Sequence, residues 1–179
     1  MALDGSGNIW VSNTGSDQLS AFSTNGVALS PAGGYTGGGL SVPQALAIDA
    51  GGYVWVANAY GNSVSRFRHD GTPAQPSAFT GGGLNKPGGV AVDGVGTVWI
   101  TNYGNATLSA LQGSQAALPG AVLSPSAGFA GAGLSKPFSP AIDSAGNVWI
   151  GNFGNGSLTK FIGLAAPVRT PLLGLPAAP

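Results

Sequence analysis

An all-β propeller of four blades, each of four antiparallel strands, is the fold class this sequence predicts, and three observations predict it. The phrase Asp-x-x-Gly-x-x-Trp-x-x-Asn occurs four times, as Asp4-Gly7-Trp10-Asn13, Asp49-Gly52-Trp55-Asn58, Asp93-Gly96-Trp99-Asn102 and Asp143-Gly146-Trp149-Asn152. Its tryptophans, which are the chain's full complement of four, stand 45, 44 and 50 residues apart. A Gly-Leu-x-x-Pro connector links the units at Leu40–Pro43, Leu84–Pro87 and Leu134–Pro137. Repeats of about 40–50 residues rich in short strands are the mark of propeller blades. A β-sandwich does not repeat its sequence at a fixed period, and a helical solenoid needs a 3.6-residue apolar period that is absent.

The second unit shows how each element arises. Ala45-Leu46-Ala47-Ile48 is a short apolar run, suited to a strand buried on both faces. Asp49-Ala50-Gly51-Gly52 is a tight turn, in which Asp bonds its own backbone and Gly takes positive φ. Tyr53–Asn58 is β-branched and aromatic, a second strand. Ala59-Tyr60-Gly61-Asn62 turns the chain, and Ser63–Phe67 returns as a third strand. A weaker fourth strand is expected near Ala78-Phe79, before the connector opens the next unit. The units fall at about 1–42, 43–86, 87–136 and 137–179 of one domain. The six extra residues of the third lie between Leu111 and Gly133, in a loop where insertion is cheap.

Composition narrows the functional classes. Charged residues make up 7% of the 179, against about 25% in ordinary soluble domains. Six acids, all Asp, balance six bases. Nucleic-acid binding needs clustered Lys and Arg, so it is not expected. Without cysteine there is no disulfide, thiolate metal site or Cys nucleophile. No apolar stretch approaches the roughly 20 residues of a membrane span. Met1-Ala2-Leu3-Asp4 opens inside a repeat unit and has no signal-peptide features, so an N-terminally truncated propeller is expected.

A propeller must close, because an open end exposes strand edges and the apolar face of a terminal blade. The first blade has only Ala2-Leu3 before Asp4, and the tail from Ala165 to Pro171 is the candidate for the last outer strand. Two chains joined into one eight-bladed ring are therefore predicted, with a four-bladed monomer as the alternative.

Candidate site residues follow from the repeat. One mouth of the ring carries Asn13, Asn58, Asn102 and Asn152, with Tyr60, Tyr103 and Phe153 beside them. Carboxamides can hydrogen-bond an unknown small molecule, and aromatics can stack on it. The competing role for each Asn is to cap its own turn, which repetition in all four units favours. The four Asp residues belong to turns of different blades and do not pair for acid–base work. His69, the single histidine, adjoins Asp70 on the turn after a third strand. A lone His there is ordinarily a solvated turn residue. Yet two copies of the chain could bring two His69 side chains together, with Asp70, around a divalent metal, zinc rather than calcium. That makes His69 the catalytic candidate for metal-dependent hydrolysis. Arg66, Arg68 and Asp70 form the one charged cluster, which is either a solvated patch without function or a rim that weakly steers an anionic ligand.

The pattern of Pro, apolar strand, Asp-x-x-Gly-Asn-x-Trp-Val and Asn resembles the NHL-type and streptogramin-lyase-type propeller repeats over the whole chain. That resemblance implies a binding platform, a lyase, a lactonase or a phosphotriesterase, and an exported bacterial parent. The lyase type implies a catalytic His and Glu; this chain has one His and no Glu. The gluconolactonase and paraoxonase-like types imply Asn or Asp after the strand-opening proline, pointing at calcium. Gln44, Gly88 and Phe138 stand at those positions here. The first reading is therefore a non-catalytic binding scaffold, and the second a metal-dependent hydrolase of lactones, esters or phosphotriesters.

Overall fold

The computed structural model describes residues 1–168. Four antiparallel sheets follow one another along the chain. The first comprises β1 (Ala2–Leu3), β2 (Ile9–Asn13) and β3 (Gln18–Phe22), and the second β4 (Pro43–Ile48), β5 (Val54–Asn58) and β6 (Ser63–Phe67). The third comprises β7 (Pro87–Val92), β8 (Val98–Asn102) and β9 (Thr107–Leu111), and the fourth β10 (Pro137–Ile142), β11 (Val148–Asn152) and β12 (Ser157–Phe161). The described chain contains no helix. Each sheet is a blade, and each blade packs face to face against the next.

The Asp and Trp of the repeat are bolted together in every blade. The Trp indole N–H donates to Asp Oδ2 at 3.2, 2.8, 3.1 and 2.9 Å for Trp10–Asp4, Trp55–Asp49, Trp99–Asp93 and Trp149–Asp143. The other oxygen of each Asp accepts two backbone amides of its own turn, those of Gly51 and Tyr53 in the second blade. The glycine three residues on closes that turn at positive φ, 80°, 77°, 90° and 77° for Gly7, Gly52, Gly96 and Gly146. A side chain there would force a strained left-handed backbone. One short motif thus fixes the turn and hands its carboxylate to the strand that follows.

Alternation along the strands gives each blade two different faces. One carries the Trp and the first leucine or valine of the third strand; the other carries aliphatic residues and a Phe or Leu. The Trp face of one blade meets the aliphatic face of the next. Trp10, Leu19 and Ala21 pack on Leu46, Val54, Val56 and Phe67. Trp55, Ala57 and Val64 pack on Val90, Val98, Ile100 and Leu111. Trp99, Leu108 and Ala110 pack on Val148 and Ile150. The core is these three gaps between blades.

The fourth strand is where expectation and structure part. No blade has a fourth ladder strand among the described residues. In the first three blades the outer segment touches the third strand at two isolated bridges, such as Val64–Phe79 and Phe67–Pro73. Each of these segments is interrupted between its two bridges by a proline, Pro31, Pro76 or Pro125, which has no N–H to give to a continuous ladder. The aromatic at the first bridge still covers the blade's tryptophan. Tyr35, Phe79 and Phe129 lie 5.5, 5.5 and 6.1 Å from Trp10, Trp55 and Trp99.

The tail also differs from expectation. Ala165 to Val168 do not run along the outer edge of β12. They cross the Asp turns of blades three and four. The Ala165 amide donates to the Gly146 carbonyl, Ala166 to Asp93 Oδ2, and Val168 to the Asp143 carbonyl. Arg169, Thr170 and Pro171 lie outside the described residues.

Candidate functional site

Each connector climbs from the outer edge of one blade to the innermost strand of the next, and the repeated Asn holds it there. Asn58, Asn102 and Asn152 are buried. Their Oδ1 atoms accept the connector amides of Ser41, Asn85 and Ser135 at 3.3, 3.2 and 3.1 Å. Their Nδ2 groups each donate to two hydroxyls of the third strand, Ser63 and Ser65, Thr107 and Ser109, or Ser157 and Thr159. Ser65, Ser109 and Thr159 in turn donate to the connector carbonyls of Gly38, Gly82 and Ala132. These carboxamides face their own connectors, not the open mouth. Among the described residues Asn13 clamps no connector and its side chain makes one bond, to Ser20 Oγ at 2.8 Å.

The aromatic residues named with them have a different fate. Tyr60 and Phe153 are 76% and 75% exposed on the turns between second and third strands. Tyr103 is half-buried and stands 6.4 Å from Phe153. At the same end, β4, β7 and β10 each break register just after their opening proline. Such bulges redirect side chains. Here Gln44 and Phe138 are turned to the mouth, and Gly88 leaves space between them. Together with Tyr60, Lys86 and Tyr103 they line a pocket of about 260 Å³. Lys136 Nζ sits 5.7 Å over the Tyr103 ring. Sequence reasoning missed Lys86, Lys136 and the lining role of Gln44 and Phe138; the position after each proline was the available signal.

His69 and Asp70 lie at the other end of the molecule. β6 runs away from the mouth, so the turn that follows it is beside the Asp turns and on the outer side of the blade. Both residues are exposed there. Asp70 is held below the usual carboxylate range by bonds from the Thr72 hydroxyl and amide. Among the described residues no three His, Cys, Asp or Glu side chains come together as a metal site would require.

Arg66 corrects the reading of a solvated charged patch. Its side chain is buried, with the guanidinium 5.1, 5.6 and 5.7 Å from the Tyr53, Trp55 and Phe79 rings. One Nη donates to the Gln75 carbonyl, while Nε has no partner among the described residues. Burial lowers its pKa from the ordinary arginine value. It fills, over Trp55, the place that Lys160 takes 4.8 Å over Trp149.

With this geometry in hand, the likeness to solved structures is informative about architecture. Virginiamycin B lyase from Staphylococcus aureus superposes with a TM-score of 0.61 at 14% identity, over 90% of this chain and 54% of that one. A gluconolactonase from Xanthomonas campestris gives 0.62 at 20% identity, over 93% and 61%. Hydrazine synthase from Kuenenia stuttgartiensis gives 0.67 at 14% identity, over 89% and 44%. The chain thus spans about half of the length of these proteins. No protein-family model matches the sequence, and no curated protein matches it. The class is an all-β propeller array with the architecture of streptogramin lyases and gluconolactonases.

Proposed function

We propose that the protein is a binding module whose ligand sits in the mouth pocket between Tyr60, Tyr103 and Phe138. The observation that carries this reading is the mismatch between exposure and chemistry there. Large aromatic rings stand open to solvent around a concavity, with Lys86 in its lining and the Lys136 ammonium over the Tyr103 ring. Among the described residues no Asp, Glu or His lines it. Aromatic walls take a flat or ring-shaped apolar group, and an ammonium takes an anionic or carbonyl acceptor. Ligand pockets commonly start at about 300 Å³, so this one suits a compact molecule of one or two rings.

The lining favours binding over acid–base catalysis, since its polar groups are a carboxamide, two phenols and an ammonium, with neither carboxylate nor imidazole among the described residues. His69 stands at the far end, so a hydrolase built on it would not use this pocket. The test is a thermal-shift and calorimetric screen of small aromatic and sugar-acid carboxylates, followed by Tyr103→Ala and Lys86→Ala on any hit. Loss of one ring wall should weaken binding by roughly 2- to 10-fold. A hit indifferent to both substitutions would sink the assignment. Chelator-sensitive turnover of a lactone, ester or phosphotriester, abolished by His69→Ala, would replace it with the hydrolase reading.

A further inference from the structure

We propose that the protein assembles head-to-tail with a second copy of itself, the Trp face of one copy's fourth blade packing on the aliphatic face of the other's first blade. The two faces left open by the described chain are the two halves of the joint it already makes three times. On the fourth blade Trp149, Gly151, Leu158 and Lys160 stand where Trp99, Thr101, Leu108 and Ala110 stand on the third. Leu108 is fully buried by its neighbouring blade and outer segment, whereas Leu158 is 65% exposed. On the first blade Leu3, Ile9, Val11 and Phe22 stand where Ile48, Val54, Val56 and Phe67 stand on the second. Val54, Val56 and Phe67 are fully buried, whereas Leu3 is 48% exposed and the other three first-blade residues are half-buried.

Each open face therefore lacks the partner that the other provides. A contact of this kind is heterologous, since different patches meet, and it must close into a ring or propagate. Two copies supply two junctions and use every open face, which gives eight blades. The apolar tail at residues 169–179 is a rival cover for the fourth blade, but one short segment cannot also cover the first. In such a ring the two His69 side chains lie four blades apart, so they do not share a metal.

Light scattering coupled to size exclusion tests this on the 179-residue chain. The expected mass is twice the 17.4 kDa of one chain. Leu158→Lys and Leu3→Asp should each return the mass to one chain at the same concentration. Both positions are solvent-exposed, so the far-UV circular dichroism and the buried-Trp emission should persist. Mixing the two variants should restore association, because the mixed pair has one junction that is wild-type on both sides. A wild-type monomer overturns the proposal and leaves the tail as the cover. So does a dimer broken by Leu158→Lys but indifferent to Leu3→Asp, which would mean like face on like face. A mass that climbs with concentration rules out closure at two copies.

Discussion

Replacing Asn102 by alanine tests the connector clamp most directly. The carboxamide is buried and makes three hydrogen bonds, one accepted from the Asn85 amide and two donated to Thr107 and Ser109. Each is worth about 1 kcal/mol net, so their loss amounts to about 3 kcal/mol. The two hydroxyls keep their own acceptors, Asn105 Oδ1 and the Gly82 carbonyl, which holds the figure near that value. Asn13 offers an internal control at the same repeat position. It is half-buried and makes one side-chain bond, so Asn13→Ala should cost about 1 kcal/mol. At roughly 2–4 °C per kcal/mol for a chain of this size, Asn102→Ala should lower Tm by about 6–12 °C and Asn13→Ala by about 2–4 °C. Thermal unfolding followed by tryptophan emission measures both. Equal losses would refute the argument that the clamp, not the turn, is what each Asn stabilises.

Three further outcomes are expected. Burial raises the Asp4 pKa, but bonds from Asn8, Trp10 and Ser6 outweigh it and hold it below 3.8, while Asn147 and Trp149 hold Asp143 lower still. A depressed carboxylate contributes stability that is complete above the unfolded pKa and is lost as pH falls through the folded one. Urea midpoints should therefore decline below about pH 4, and Asp143→Asn, which keeps an acceptor for Trp149, should flatten that decline; an unchanged slope would contradict it. Gly89→Ala would set a Cβ against the Phe138 carbonyl oxygen of the next blade, whereas Gly151 faces open space within one chain. Gly89→Ala should lower Tm well beyond any effect of Gly151→Ala. Arg66→Met keeps the length of the side chain and removes a buried charge with an unpartnered Nε, so Tm should hold or rise; a loss of several degrees would show that the ring contacts outweigh desolvation.

Much of this architecture was legible in the residues. The repeated Asp, Gly and Trp placed every turn and second strand, because each acts within about ten residues of itself. The indole-to-carboxylate bond lay in the same motif, in the constant spacing of six from Asp to Trp, but a spacing alone does not say which atoms meet. The outer strand was overread: Ala78-Phe79 is apolar enough for a strand, yet Pro76 has no N–H to give and the Arg66 amide is taken by the Ser77 hydroxyl, which leaves isolated bridges only. Arg66 was misjudged for a different reason. Its neighbours Arg68 and Asp70 are exposed, and only the tertiary stack of Tyr53, Trp55 and Phe79 encloses it. The mouth pocket depends on three bulges from three blades, which no local stretch of sequence records.

The connector clamp has a bearing on how such chains change length. Ser41, Asn58 and Ser65 hold the segment by which their own blade is entered, and the same logic recurs with Asn85, Asn102 and Ser109. A gene segment running from one connector to the next therefore encodes a self-sufficient tile, with its entry latch, its Trp face and its aliphatic face all inside. Duplicating or deleting such a tile leaves every surviving latch intact and creates no foreign joint. Blade number is then free to drift through unequal recombination, limited by whether the curvature still lets the two ends meet.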